Sequence, residues 1–186
     1  IHEIRARGLH AKGLFVLGDG CAIFRIAGNV LPLPPESGEP MEHPFYYDTV
    51  RDLWRLVDYL ETRDDIDMKR LGMIGFSMGG IQTYLAASVD ERIKVAVPAI
   101  GVQSFRWSLE QDQWQGRANT IKLVHTEAAK ELGEKEINQK VCRAVWTKIV
   151  PGILDEYDCP SMLRLFAGRP MLILSGTMDK NSPYAG

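Results

Sequence analysis

The chain has 186 residues, 45% hydrophobic and 25% charged, and its 22 basic and 24 acidic side chains leave a net charge of −2. That balance suits one soluble domain with a substantial core, and it lacks the basic footprint of a nucleic-acid binder or of a protein drawn to anionic membranes. No apolar run approaches the roughly 18 residues of a membrane-spanning helix, and no charged-then-apolar leader pattern follows Ile1, so a cytoplasmic location is expected.

The first predicted element is a short buried strand, Gly13-Leu14-Phe15-Val16-Leu17-Gly18, an apolar run closed by glycines. From Gly28 to Pro44 the prolines 32, 34, 35, 40 and 44 forbid both helix and central strand, so a loop is expected. Asp48 then reads as a helix N-cap, and Val50, Leu53, Trp54, Val57 and Leu60 form one apolar face of a helix reaching about Thr62. The acidic stretch Asp64-Asp65-Ile66-Asp67 lacks the Gly and Glu of a calcium loop and reads as a solvated turn.

A second apolar run, Arg70 to Phe76, predicts a strand, followed by a helix from about Met78 to Ser88. Val95 to Ile100 predicts a third strand, with Pro98 near its end. Residues 105–149 read as mostly helical, with Ile137, Val141, Val145 and Ile149 on one face and Pro151-Gly152 as the stop. Pro170 to Gly176 is the fourth predicted strand. Continuous apolar strands alternating with helices imply an α/β fold, a mostly parallel sheet with helices on both faces. Chemistry in such a sheet sits beyond the carboxyl ends of the strands.

Two residues fall there. Gly75-Phe76-Ser77-Met78-Gly79-Gly80 contains Gly-x-Ser-x-Gly between a predicted strand and a predicted helix, the context a nucleophile elbow needs. A serine in so tight a turn projects its hydroxyl from the sheet, and the crowding demands glycine at 75, 79 and 80. The Met78 backbone N–H is then a donor to a forming oxyanion. The bland alternative for Ser77 is an ordinary helix N-cap. A serine nucleophile requires a base and an orienting carboxylate, and Asp179 follows the fourth strand where the carboxylate is needed. The histidine should come later in the chain, but the seven residues after Asp179 hold none. His43 lies in the predicted loop and His125 in the helical stretch, and neither is expected to reach Ser77.

No metal constellation appears among the four histidines and three cysteines, and Cys21, Cys142 and Cys159 read as free thiols. Phe105, Trp107, Trp114 and Trp146 are candidates to line an acyl pocket, or are plain core.

The segments Gly72–Ala87, Val95–Trp107, Pro170–Pro183 and His43–Val50 resemble α/β-hydrolase proteins of the dienelactone-hydrolase and acetyl-xylan-esterase kind, over roughly Phe45 to Pro183. The resemblance implies a carboxylic-ester hydrolase with Ser77 as nucleophile, Asp179 as triad acid, a small-molecule ester as substrate and no cofactor. It also implies that the chain is one α/β-hydrolase domain, truncated at both ends, in which residues 105–150 form a helical insert or cap. The family's histidine segment, its first strands and the loop with its second oxyanion donor have no counterpart here. The alternatives are a non-catalytic binding protein on the same fold and a truncated product without function.

Overall fold

The computed structural model describes residues 44–186. The predicted strand at 13–18, the loop at 28–44 up to its last residue, Cys21, His2, His10 and His43 lie outside the described residues.

Helix α1 spans Phe45–Glu61 and begins three residues before the expected cap. The Pro44 carbonyl accepts the N–H groups of Tyr47 and Asp48, and no side chain caps the helix. The apolar stripe explains the early start. Half-buried Tyr46 stands one turn before Val50 and extends the line through Val57 and Leu60, which are buried. Asp48 therefore sits in the first turn, where its charge still favours the helix dipole. Beyond α1, Asp67 accepts the Lys69 N–H and caps a 3₁₀ turn at Met68–Arg70, and Asp65 pairs with Arg63. The acidic stretch is a turn, as expected.

Strand β1 (Gly72–Phe76) leads through Ser77 into helix α2 (Met78–Val89), and β2 (Val95–Ala99) returns parallel to β1 with Gly72 opposite Val95 and Phe76 opposite Ala99. Met73, Gly75, Ala96 and Pro98 share the face covered by α2, and α1 packs against α2 in turn. Phe76 and Val95, on the opposite face, are 49% and 40% exposed.

The fourth predicted strand is present as two parallel bridges, Ala96 with Met171 and Ala99 with Leu174. Pro98 accounts for the interruption. Residues 96, 98 and 100 turn their backbone groups toward this segment: Ala96 donates to Pro170 O, Leu172 to Ala96 O, Leu174 to Pro98 O and Ile100 to Leu174 O. The rung that residue 98 would donate is missing because proline has no N–H.

Between β2 and that segment lie helices α3 (Phe105–Glu110), α4 (Gln115–Thr120), α5 (Lys122–Glu131), α6 (Gln139–Ile149) and α7 (Cys159–Met162). Val141 and Val145 of α6 are buried and Ile149 is half-buried, as the four-residue spacing predicts, whereas Ile137 precedes the helix and Asn138 caps it through the Val141 N–H. Gly152, at a φ of 86°, forms the turn that follows. Buried Asp158 ties this region together. One oxygen accepts the Phe105 and Cys159 N–H groups, and the other accepts the Ser104 hydroxyl and the Arg106 N–H. One carboxylate thus satisfies orphan donors at the starts of both α3 and α7.

Arg169 locks the last segment to α2. Its Nη1 donates to Asp90 O and Ile93 O, both at 2.9 Å, and its Nη2 to Ser88 O and Leu165 O. The guanidinium lies 3.9 Å above the Phe166 ring. These carbonyls include orphans of the α2 C-terminus, where a cation also suits the dipole. Arg169→Ala should lower unfolding free energy by about 2–3 kcal/mol in urea titrations, with Arg169→Lys in between because an ammonium lacks the planar fork. An unchanged midpoint in the alanine variant would contradict this role.

Candidate active site

Ser77 occupies the turn between β1 and α2 with φ 53° and ψ −115°. A left-handed φ at a non-glycine residue is strained and persists only where its surroundings dictate it. The surroundings here are backbone. A side chain on Gly75 would run into the Gly79 carbonyl and the Thr83 hydroxyl, and one on Gly80 into the Ala99 backbone. Gly79 contributes its carbonyl, which accepts the Thr83 hydroxyl at 2.7 Å. The Ser77 N–H donates to Ala99 O at 2.8 Å and its carbonyl accepts from Ile81, so the turn is fixed on both sides. The Ser77 side chain makes no capping hydrogen bond, which removes the ordinary N-cap reading. Ser77 is exposed at the positive end of a 12-residue helix.

Ser77 and Met78 line a cavity of about 80 Å³ walled by Phe105, Trp146, Ile149 and Ile153, with Tyr46, Arg117 and Thr120 adding polar groups. Of the four candidate aromatics, Phe105 and Trp146 stand in this wall, edge to face at 5.2 Å. Trp107 and Trp114 do not line it.

Asp179 stands in the loop after the 171–174 segment, at the same carboxyl edge of the sheet as Ser77. One carboxylate oxygen, Oδ1, accepts the Asn181 N–H at 2.8 Å and the Ser182 N–H at 3.3 Å. No hydrogen bond joins Asp179 directly to Ser77. The loop is held by two residues that the sequence did not flag. Ser182 is buried and donates its hydroxyl to Ile100 O at 3.1 Å, and Arg117 Nη2 donates to the same hydroxyl oxygen at 2.6 Å. Burial pushes the Arg117 guanidinium below its usual pKa. No motif announces either residue, because their meeting depends on a contact 65 positions apart.

His125 is the one histidine among the described residues, and it does not line the Ser77 cavity. It is buried in α5 with Nδ1 at 3.1 Å from Ile121 O. A carbonyl can only accept, so Nδ1 carries the proton, and the buried Nε2 has no partner. Cys142 and Cys159 are free and buried, as expected, and burial pushes both thiols up to about 12. Neither is a reactive thiolate at neutral pH. No group of three or more potential metal ligands exists among the described residues. None of the described helices is long and apolar enough to cross a membrane.

A parallel α/β sheet with a strained serine between strand and helix defines a hydrolase-like architecture, and the family follows from the sequence match. The profile of the Dienelactone hydrolase family matches residues 36–157, and the chain belongs to that family. The resemblance read from the sequence is borne out. Among curated proteins, the chain is similar to the putative hydrolase YtaP of Bacillus subtilis (strain 168), with 27% identity over 150 residues. That match takes in 81% of this chain and 40% of the relative, so the chain spans about two fifths of the relative's length. Similar solved structures include acetyl xylan esterase 1 from Thermoanaerobacterium sp. JW/SL YS485, with 19% identity, a TM-score of 0.48 and coverage of 72% of this chain and 38% of that one. The 2,6-dihydroxy-pseudo-oxynicotine hydrolase gives 20% identity, a TM-score of 0.47 and coverage of 78% and 38%.

The environment of His125 has a consequence for stability. Desolvation lowers its pKa below the ordinary 6.5, so between the folded and unfolded values the unfolded chain binds more protons. Its contribution is complete above 6.5 and is lost as pH falls through that window. Urea unfolding of wild type and His125→Leu at pH 7.5 and 5.5 should show the wild type losing more stability than the variant. An identical pH dependence in the two proteins would contradict the buried neutral imidazole.

Proposed function

We propose that this protein is a serine hydrolase of small carboxylic esters, with Ser77 as nucleophile and Asp179 as the acid that orients the base. The observation that carries the reading is the strained, uncapped Ser77 at the head of α2, open to an apolar cavity. Its Oγ attacks the ester carbonyl as its proton passes to an imidazole, and the Met78 N–H receives the negative charge forming on the carbonyl oxygen. Collapse of that intermediate expels the alcohol, which takes the proton back. Water then cleaves the acyl-serine by the same route.

At about 80 Å³, the cavity beside Ser77 is small, which favours short acyl chains. Helices α3, α4 and α6 act as the cap over the serine, since Phe105, Arg117, Trp146 and Ile149 come from them. The reading calls for a histidine base, which in the chain order of this fold comes after serine and acid. His125 is excluded from that role by its burial, its bond to Ile121 and its absence from the cavity wall.

The experiment is hydrolysis of p-nitrophenyl acetate and longer acyl homologues by the natural full-length protein. Acetate should be the preferred acyl group, and Ser77→Ala should lower kcat by at least about a thousandfold, in line with loss of a triad nucleophile. Wild-type rates in that variant would overturn the assignment. A folded wild type without turnover would favour the non-catalytic binding protein.

A further inference from the structure

We propose that Ser182, clamped between the Ile100 carbonyl and Arg117, is a positioning residue that aims the Asp179 carboxylate at the base. This rests on the reading of Ser77 and Asp179 as nucleophile and acid.

The linkage begins at β2. Ala99 accepts the Ser77 N–H through its carbonyl, and the next residue, Ile100, holds the acid loop. Ile100 has a φ of 46°, a costly conformation for a β-branched residue. This kink lets its N–H reach Leu174 O while its carbonyl meets the Ser182 hydroxyl. The following Gly101 lies against the Ser77 carbonyl and the Ile81 nitrogen, where a side chain would not fit. The same three residues, 99 to 101, therefore touch both the nucleophile turn and the acid loop.

Ser182 is fully specified by these contacts. A hydroxyl has one proton, which goes to Ile100 O, and its lone pairs face the Arg117 donor. Its backbone N–H meets Asp179 Oδ1. With Asn181 N also on Oδ1, that oxygen is occupied, and Oδ2 is the one left to meet an imidazole. A second contact from α4 supports the loop independently. Gly116 lies so close to the Lys180 carbonyl that any side chain there would push the loop away. Arg117 also sits 5.6 Å over the Phe105 ring and lines the cavity, so the wall that receives substrate is the wall that holds the acid.

The test uses Ser182→Ala and Gly116→Ala in the natural full-length protein. The first removes both hydroxyl links, and the second displaces the loop without deleting any polar group. Rates are normalised to active sites titrated with a fluorophosphonate, so partial unfolding does not count as lost activity. Both variants should lose about ten- to a hundredfold in kcat with KM within about twofold, less than the roughly 10⁴-fold seen when a triad aspartate loses its charge. The acid limb of kcat/KM should move to lower pH, because an imidazole with a misplaced carboxylate holds its proton less tightly. A merely structural role would lower thermal stability and leave the limb in place. If Ser182→Ala does not fold, Gly116→Ala decides alone. Unchanged kcat per titrated site and an unchanged limb overturn the proposal. A wild type that neither labels nor turns over refutes instead the catalytic reading beneath it.

Discussion

The close approach of α2 to the end of the sheet is the constraint on which the rest of the structure depends. Gly75, Gly80 and Gly101 bring three stretches of backbone to distances that no side chain tolerates. Ser77 is caught among them and held at a positive φ by bonds to Ala99 and Ile81. The strain is local, but its support is distributed. α2 is buried along nearly its whole length, from Met78 to Ser88, and it is packed against α1 and the sheet. A helix made mostly of small and apolar residues, with few polar side chains, can be pressed onto a sheet this firmly.

Three polar fixtures then give the chain its register around that contact. Arg169 gathers carbonyls at the far end of α2, Asp158 gathers donors at the starts of α3 and α7, and Ser182 joins the loop after the 171–174 segment to β2. Each is a single side chain that satisfies backbone or hydroxyl groups from elements distant in sequence. Apolar packing sets how close the layers come, and these bonds set which residues meet.

Much of this was legible in the sequence because it is written in local pattern. The apolar runs at 72–76 and 95–99, the glycines around Ser77 and the stripe through Val50, Val57 and Leu60 each report a structure within a few residues of themselves. Capping propensity points to Asp48 as the start of α1, but Tyr46 extends the apolar stripe and the helix begins earlier. The apolar run at 170–176 predicts a strand, yet its ladder depends on Pro98 in a neighbour more than seventy positions earlier. Arg117 and Ser182 were invisible for the same reason. An arginine and a serine are unremarkable in sequence, and only the folded chain puts one against the other. Among the aromatics, Phe105 and Trp146 reach the cavity, but helical spacing alone did not separate them from Trp107 and Trp114.

The strain at Ser77 is proposed to serve a nucleophile. The most direct measurement is to treat the natural protein with a fluorophosphonate and locate the adduct by peptide mass spectrometry. One adduct per chain, on Ser77, is the expected result. A folded protein that stays unlabelled, or that carries the adduct on another residue, would contradict it.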